Sequence, residues 1–519
     1  MNMRGLLSCL SMGYIRTNAD NFRTVIRKPA ISLATVCVAA ALMAGCAVGP
    51  DFHRPTVPCV DRYTQDSLPG QTVSVDVKGG EAQRFVQNMD IPGQWWTLFH
   101  SKQLNDLIEQ ALKANPDVDA AQAALRGAWE NVYAQKGAFF PSIDANFTPT
   151  RQEVPAVLTS PLANNNYVYS LHTAQVSVAY APDVFGGNRR QVESLKAQAD
   201  WQRFQLEATY LTLTSNVVAA VVGEAALRGQ IKATQRIIEI ESQSLELMQR
   251  QFALGQIATA DVAAQEAALA QSQAMLPPLE KQLAQQRDLL ARLVGHFPSE
   301  AFIDKFELSQ LKLPRDLPAS LPAKLVEQRP DIRSAEEQLH EASAEIGVTV
   351  ANRLPNITLS ANLGSSALAI GQLFASGTGF WGLAANLTQP IFQGGTLLHR
   401  QRAAEAAYDQ AAAQYRGTVL TAFQNVADTL HAIQSDADSM RASVAAEQAA
   451  AKSLAIVRRQ LELGDVSYLA LLNAEQTYQQ AMINLVQALA NRYADTAALF
   501  QALGGGWWNR SDVKAGTGG

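Results

Sequence analysis

Histidine and cysteine, the residue types that most often carry chemistry, are few in this chain and widely separated. Seven histidines and four cysteines occur among 519 residues, and none of them pair at the spacing of a zinc site or a disulfide framework. The chain also lacks a glycine-rich phosphate loop, a nucleophile elbow and a metal-binding triad. The sequence therefore predicts no catalytic residues, no metal and no other cofactor, and a protein that is not an enzyme.

One cysteine, Cys46, lies in a context that does predict a chemical step. Basic residues precede an apolar run, 30–43, which is short for a membrane span and typical of a signal peptide. The run leads into Leu-Met-Ala-Gly-Cys46, which resembles the cleavage box of bacterial lipoproteins. We expect residues 1–45 to be removed and Cys46 to carry lipid. The alternative is an ordinary signal peptide with an incidental cysteine. By resemblance to enterobacterial sorting, the Ala47 that follows favours the outer membrane.

Composition and charge restrict the class of partner. The chain is 47% hydrophobic but only 7% aromatic, and alanine dominates the apolar share, which favours long helices over a large globular core. The net charge is −5, and since residues 1–45 hold five basic residues and one acid, the rest carries about −9. Because no basic stripe occurs, nucleic acid is not an expected partner.

An internal duplication organises most of the chain. A Pro-Asp pair beginning at Pro116 recurs 214 residues later at Pro330, and in each copy a second proline, Pro141 or Pro355, follows after 25 residues. Each unit is about 190 residues long, which is too long for a solenoid repeat. Two similar units in one chain can take equivalent places around an axis and so build a closed wall.

Each unit is predicted to contain a β-hairpin with a long loop, at about 142–182 and 355–392. Apolar and polar residues alternate along both strands of each hairpin, which is typical of strands with two different faces. We place the loops at 151–166 and 364–378. The hairpins follow opening helical segments, which we place at 104–137 and 321–352.

A very long helix is predicted after each hairpin, at 188–254 and 396–463, because neither range contains proline. At ~1.5 Å per residue each would be ~100 Å long. In the second copy, apolar residues from Val419 onward alternate spacings of four and three, which predicts heptad packing. In the first copy they recur every seven residues in two runs, with a slip of one between them. The second run comprises Ile231, Ile238, Leu245 and Phe252.

Each long helix is predicted to reverse direction at a glycine. Gly255 and Gly464 stand where a left-handed helix cap is expected. Shorter helices then return at about 259–294 and 467–503. Each unit is therefore a β-hairpin joined to a long helical hairpin.

Three groups of residues together resemble the TolC-like (OprM-like) outer membrane factor family, in its NodT-type lipoprotein efflux branch. Residues 48–55 resemble the start of the mature chains, and Trp95-Trp96 resembles part of the next stretch. The turns at Gly255 and Gly464 look like the family's periplasmic tips. The resemblance depends on the ordered set and not on any one motif.

The resemblance covers about residues 42–506 and implies a fold that is mainly α with a membrane β-barrel. Three protomers give four strands each to a twelve-stranded barrel, continuous with a long α-helical periplasmic tunnel. The strand count agrees independently, because bacterial barrels have eight or more strands and cyclic symmetry removes open edges. The predicted parts are a signal peptide (1–45), a lipid-anchored extended arm (46–103), a first repeat (104–300) with its helical hairpin at 188–294, a linker (301–318), a second repeat (319–505) with its helical hairpin at 395–503, and a flexible tail (506–519).

The resemblance also implies a function. The expected protein is a passive exit duct, lipid-anchored in the bacterial outer membrane and extending into the periplasm. Its expected partners are two further copies of the chain, a periplasmic adaptor, a proton-driven inner-membrane pump and outer membrane lipid. Its cargo would be drugs or other toxic organic compounds. A duct for type I protein secretion and a lipid-anchored coiled-coil spacer without a pore remain as alternatives.

By the same resemblance, the two helical turns contact the adaptor. The expected contact residues are Leu254, Gly255, Asp261 and Val262 in the first turn, and Leu463, Gly464, Leu471 and Leu472 in the second.

A gate is expected at the same end of the helices. Family members like the prototype carry acids six and nine residues after the second tip glycine, where this chain has Ala470 and Asn473. Asp261 and Asp465 are the acids that remain, so the gate candidates are Asp261, Asp465 and Asn473. A ring of such acids would form an electrostatic constriction; the alternative is that they are solvated loop residues.

Overall fold

A computed structural model describes residues 47–66, 69–157, 162, 166–300, 305–319 and 322–511. Over these ranges the chain is mainly helical, with one four-stranded and one two-stranded sheet. The predicted signal peptide and the predicted lipid attachment residue, Cys46, lie outside the described residues.

Both halves of the chain repeat one order of elements: a helix pair, a β-hairpin, a long helix and a returning helix. The first half contains β1 (Arg84–Gln87), α1 (Lys102–Ala114), α2 (Pro116–Lys136), β2 (Ser142–Glu153), β3 (Val168–Tyr180), α3 (Gly187–Ala253) and α4 (Thr259–Leu293). The second half contains β4 (Asp316–Ala319), α5 (Pro322–Gln328), α6 (Pro330–Ala351), β5 (Asn356–Ala367), β6 (Gly379–Thr388), α7 (Thr396–Glu462) and α8 (Tyr468–Ala502).

The repeated Pro-Asp pair starts a helix in both halves. Each predicted opening segment is in fact two helices, which are interrupted just before Pro116 and Pro330. Proline is favoured at the first helical position, because the N–H that it lacks would have no acceptor there. In the first half the Asn115 side chain also accepts the Asp117 N–H at 2.9 Å. Asn115 thus lies between the end of α1 and the start of α2, and its side chain caps α2.

The four long strands form one antiparallel sheet in the order β2-β3-β5-β6. Pairing of β3 with β5, with Val178 opposite Ala361, joins the hairpins of the two repeats. The strands run further than the sequence predicts, to Glu153 in β2 and Ala367 in β5. The predicted loops therefore begin too early, because polar residues at the strand ends still pair across the sheet.

The two long helices are equal in length, as are the two returning helices. α3 and α7 have 67 residues each, and α4 and α8 have 35 each. Both long helices end next to a left-handed glycine, Gly255 with φ 74° and Gly464 with φ 80°. Only glycine adopts this conformation without strain. α3 packs against α4 and α7 against α8, and α3 also packs against α8.

The main hydrophobic core lies where the N-terminal arm crosses the helices. Trp95 is buried and stacks on Phe500 of α8 at 5.4 Å between ring centroids, and Phe99 lies 6.2 Å from Tyr493. Beside this core, β1 of the arm pairs in parallel with β4. The arm is therefore fixed to both repeats along much of its length.

The prediction of a flexible tail is wrong for residues 506–511. Gly504, Gly505 and Gly506 are buried with positive φ, and a Cβ on Gly506 would stand 2.5 Å from the Ile91 carbonyl oxygen. Trp507 Nε1 then donates to the Gln328 carbonyl at 2.7 Å. The glycines mark left-handed backbone in close contact with the core. Residues 512–519 of the predicted tail lie outside the described residues.

The predicted heptad seam is confirmed in α7 and wrong in the distal part of α3. Val419, Val426 and Ile433 are buried in α7. In α3 the run Ile231, Ile238, Leu245 and Phe252 is half-buried or exposed; the buried apolar residues there are Ala233, Ile237, Ile240 and Met248. A straight helix drifts by ~20° per heptad, so a strict seven-residue row leaves the contact face.

α3 is the one helix of the described residues that is long and apolar enough to cross a membrane by length and composition. Its most apolar window is 61% buried inside the protein. That burial is typical of a core helix.

Candidate functional site

One face of the four-stranded sheet is apolar over residues 143–147, 174–178, 357–363 and 381–387. Directly opposed residues of antiparallel strands share a face, and Leu363 opposes Trp381 while Ala361 opposes Leu383. Trp381 is 74% and Leu383 75% exposed. The other large exposed apolar residues in these ranges are Ile143, Phe147, Val176, Leu359 and Leu387.

The opposite face of the same sheet is mainly polar. Asn146 Nδ2 donates to Ser177 Oγ at 3.4 Å, and the Thr173 and Ser366 hydroxyls lie 2.9 Å apart. Asp144, Gln175, Ser360, Asn362 and Asn386 share this face. A sheet with one apolar and one polar face suits lipid on one side and water on the other. Its strands have 10 to 13 residues, enough to cross a bilayer when tilted.

The start of the arm is held at the junction between sheet and helices. Arg190, in the first turns of α3, donates to the Val48 carbonyl at 2.9 Å and to Asp51 at 2.7 Å. A Cβ on Gly49 would stand 2.4 Å from the Gly347 Cα, so no side chain fits there. The Arg190 hydrogen bond, followed by its charge, lowers the pKa of Asp51. The first described residues of the arm therefore lie beside the base of the sheet, which is the end that joins the helices.

A second contact holds the arm a few residues further on. The Phe52 ring stacks on His340 of α6 at 4.3 Å between centroids. The imidazole also lies within hydrogen-bond distance of Glu337 (3.3 Å) and Glu193 (3.0 Å). The hydrogen bond with Glu337, then that with Glu193, raises the pKa of His340 against the effect of burial. The imidazole thus links the arm to α3 and α6.

The helical turns expose part of the predicted adaptor-contact set. Leu254 is 74% and Leu463 61% exposed, directly before the exposed Gly255 and Gly464. Val262 and Leu471 are buried instead, and Leu472 is half-buried. The last three side chains pack within the helical hairpins, so Leu254 and Leu463 are the exposed apolar members of the predicted contact set; Phe252 and Leu469 are further exposed apolar residues beside the turns.

The gate candidates lie at the same turns but in different settings. The Asp261 carboxylate accepts the Ala258 N–H at 3.3 Å and thereby caps α4. Asp465 and Asn473 are exposed, and Ala470 is half-buried. The Tyr468 hydroxyl donates to Gln251 Oε1 of α3, which links the two turns. An acidic ring at this level stays a prediction.

Sequence reasoning missed a buried polar group above the turns, formed around Glu475 of α8. Glu475 has no exposed surface, although glutamate is seldom buried. One signal was available: Leu471, Ala474 and Tyr478 flank it at helical spacing on the packed face of α8. A charged residue on such a stripe indicates a buried partner.

A two-faced sheet that continues into helices ~100 Å long defines the wall of a membrane channel. The chain belongs to the outer membrane efflux protein family, whose model matches residues 107–296 and 321–505, once in each repeat. It is therefore an outer membrane protein with the fold of the channels of that family, as the sequence resemblance predicts.

Similar proteins align with almost the whole chain. The toluene efflux pump outer membrane protein TtgC of Pseudomonas putida is 28% identical over 485 residues, covering 92% of this chain and 96% of its own. The outer membrane protein OprJ of Pseudomonas aeruginosa is 28% identical over 495 residues, with coverage of 93% and 97%. Both alignments cover more than nine-tenths of this chain.

Solved structures give the same result for the fold. The outer-membrane channel OprN superposes with a TM-score of 0.79 at 25% identity, covering 89% of this chain and all of its own. VceC of Vibrio cholerae superposes with a TM-score of 0.75 at 26% identity, covering 80% of this chain and all of its own.

Proposed function

We propose that this chain is the outer membrane exit duct of a tripartite efflux system. The observation that carries the proposal is the continuity of a two-faced sheet with two long helical hairpins. A polar face on the inside of a barrel conducts water-borne solutes, while the apolar face contacts lipid. The helices then extend the same wall into the periplasm.

The duct would be a homotrimer. Among the described residues, strands β2 and β6 each have an edge that pairs with no other strand, and a lipid-exposed edge leaves backbone N–H and C=O groups without partners. Pairing β2 of one chain with β6 of the next closes twelve strands around a threefold axis. The arm, fixed beside the base of the sheet, would carry lipid on Cys46 into the inner surface of the outer membrane.

The duct would do no chemistry and supply no energy. An inner-membrane pump, which we expect to be proton-driven, would load the cargo through a periplasmic adaptor bound at the exposed turns. The names of the relatives include toluene efflux, antibiotic efflux and pyoverdine export. These favour small organic molecules as cargo over a secreted protein.

Conductance separates the duct from a spacer without a pore. Purified full-length protein is expected to give stable ion conductance in planar bilayers. An absence of conductance from protein that forms trimers would reject the duct and favour the spacer.

Adaptor binding tests the role of the turns. The double variant Leu254→Glu/Leu463→Glu places a charge directly before each turn glycine. It should abolish co-purification of the adaptor, and it should abolish drug resistance in a complemented deletion strain. The matched control is Phe297→Glu, which changes an equally exposed apolar residue (74%) outside the turns. Adaptor binding equal to wild type in the double variant would reject the turns as the contact.

A further inference from the structure

A cluster of polar side chains connects all four helices of the two hairpins above the turns. The buried Glu475 carboxylate of α8 accepts from Ser244 Oγ of α3 at 2.8 Å and from Gln265 Nε2 of α4 at 3.4 Å. Arg458 of α7 lies 3.5 Å from the same carboxylate. We call this group the four-helix cluster. Its members are Ser244, Gln265, Arg458, Glu475, Glu241 and Ser272.

A second carboxyl group, that of Glu241 of α3, is buried in the same cluster. Glu241 is 1% exposed, and Gln265 Nε2 also donates to its backbone carbonyl at 3.3 Å. Ser272 of α4 hydrogen bonds to its side chain, whereas its Oε2 has no hydrogen-bond partner among the described residues. One oxygen of a deeply buried acid is therefore unsatisfied.

The charges around Glu241 are unbalanced. α8 contributes Glu475 and α7 contributes Arg458, while α4 contributes only the neutral Gln265 and Ser272. Arg458 already pairs with Glu475 and is 36% exposed. If both acids ionised, two buried carboxylates would share one partly solvated cation, which disfavours the packed arrangement.

These surroundings change the protonation of Glu241. Burial, which is the largest effect, raises the pKa of Glu241 to about 7 together with the charge of Glu475 and against the Ser272 hydrogen bond. The carboxyl group is therefore neutral in weak acid when the helices are packed. A group whose pKa is raised on packing stabilises the packed state at low pH, and this stabilisation is lost as pH rises through about 7.

We propose that the four-helix cluster is a proton-controlled latch, which holds the two helical hairpins together while Glu241 is protonated and loosens them when it ionises. Glu475 is the fixed acceptor of the latch, and Glu241 is the group that titrates. The cluster lies roughly 20 Å above the turns, at ~1.5 Å per residue. The link to opening of the channel rests on the proposed function; the latch itself does not.

Hydrogen exchange of the full-length protein tests the latch directly. After correction for intrinsic rates, exchange in peptides covering Glu241 and Glu475 should rise with pH between about 5 and 7 in the wild type, by up to ~10-fold per pH unit for one titrating group, and level off above 7. Glu241→Gln keeps the shape of the protonated acid and should exchange slowly at both pH 6 and pH 8. Glu266→Gln, an exposed site on α4, is the matched control and should follow the wild type.

A second variant separates the fixed acceptor from the titrating group. Glu475→Gln should speed exchange at both pH values, because Arg458 loses its carboxylate partner. A wild type without pH-dependent exchange, or Glu241→Gln with the wild-type response, would overturn the latch.

Planar bilayer conductance, measured in parallel, should increase from pH 6 to pH 8 in the wild type but not in Glu241→Gln. Conductance that does not change with pH would overturn the link to opening. No conductance at either pH, with pH-dependent exchange intact, would reject the exit duct and support the latch alone.

Discussion

Among single residues, Arg492 of α8 fastens the arm. It is 2% exposed and donates to the Gly79 and Glu81 carbonyl oxygens, each at 2.8 Å, and to Gln83 at 3.3 Å. A guanidinium can satisfy several acceptors at once in a fixed geometry. One side chain thus positions the arm segment that leads into β1.

Arg492→Met should free that segment. Loss of the guanidinium leaves buried carbonyl groups unpaired, and removing one side of a buried charged network costs about 3 kcal/mol. We expect a lower Tm and faster tryptic cleavage between residues 61 and 91. The control is Arg441→Met, which removes an exposed ion pair with Asp438 (2.8 Å). Equal protease resistance in the two variants would contradict this role for Arg492.

Asp436 of α7 and Asp495 of α8 form an acid pair at the level of the arm. Burial, followed by the hydrogen bond with Asp495 and its charge, raises the pKa of Asp436 to about 7. The raised pKa means that stabilisation is greatest in acid and is lost as pH rises through about 7.

Asp436→Asn should therefore reduce the fall of Tm between pH 6 and pH 8. The amide cannot ionise and still provides a donor for Asp495. Asp438→Asn, which changes an exposed acid (59%) on the same helix, should leave the pH dependence unchanged. If Tm falls with pH as steeply in Asp436→Asn as in the wild type, the acid pair does not titrate in this range.

Single residues were predictable where backbone conformation decides their type. Gly255 and Gly464 could be placed because reversal of a long helix favours a left-handed residue. The partners of Glu475 and Arg492 could not, since glutamate and arginine are usually exposed and their hydrogen-bond partners come from elements far away in sequence. The sequence therefore indicates the turns but not the polar contacts between helices.

Among the elements, α4 differs from its counterpart α8 by a proline pair. Pro277 and Pro278 lie inside α4, whereas α8, of the same length, contains none. They leave the carbonyls of Gln273 and Ala274 without helical donors. Within α4, which the structure describes in full, no residue from 273 to 289 is buried. The middle of this helix is thus the weakest part of the first hairpin.

Pro277→Ala/Pro278→Ala should stabilise the protein by on the order of 2 to 4 kcal/mol. The helix penalty of about 3 kcal/mol per proline is partly offset by about 1 kcal/mol per site of unfolded-chain entropy. Tm should rise, and hydrogen exchange around residues 270–285 should slow. Gln273→Ala, in the same exposed stretch, should change neither by a comparable amount. An unchanged exchange rate in the double variant would mean that the prolines do not weaken α4.

Helices and strands could be predicted wherever one pattern of apolar residues, or a stretch without proline, continues without a break. The two-residue alternation predicts the strands, and two long stretches without proline predict α3 and α7. The interruption before Pro116 was missed, since the apolar spacing continues across it. The distal face of α3 was also missed, because which face is covered depends on neighbours that one helix does not specify.

For the whole molecule, the decisive contrast is between the two faces of the sheet. Leu383 and Ala384 are consecutive exposed residues near the middle of β6, and they lie on the apolar and the polar face respectively. A substitution of the same type at each therefore tests which environment each face meets. Local distortion of the strand should be similar in both cases, because the two positions are adjacent.

Leu383→Arg should strongly reduce the amount of trimer in the outer membrane. An arginine facing lipid near the middle of a barrel strand costs ~2–4 kcal/mol, and three copies would carry that penalty. Ala384→Arg should assemble normally and shift the ion selectivity in planar bilayers towards anions, because three guanidinium groups would line the polar interior. Membrane yield and reversal potential are the two measurements. If Ala384→Arg blocked assembly while Leu383→Arg inserted normally, the apolar face would have to line the interior, and the barrel would be inverted relative to the one proposed.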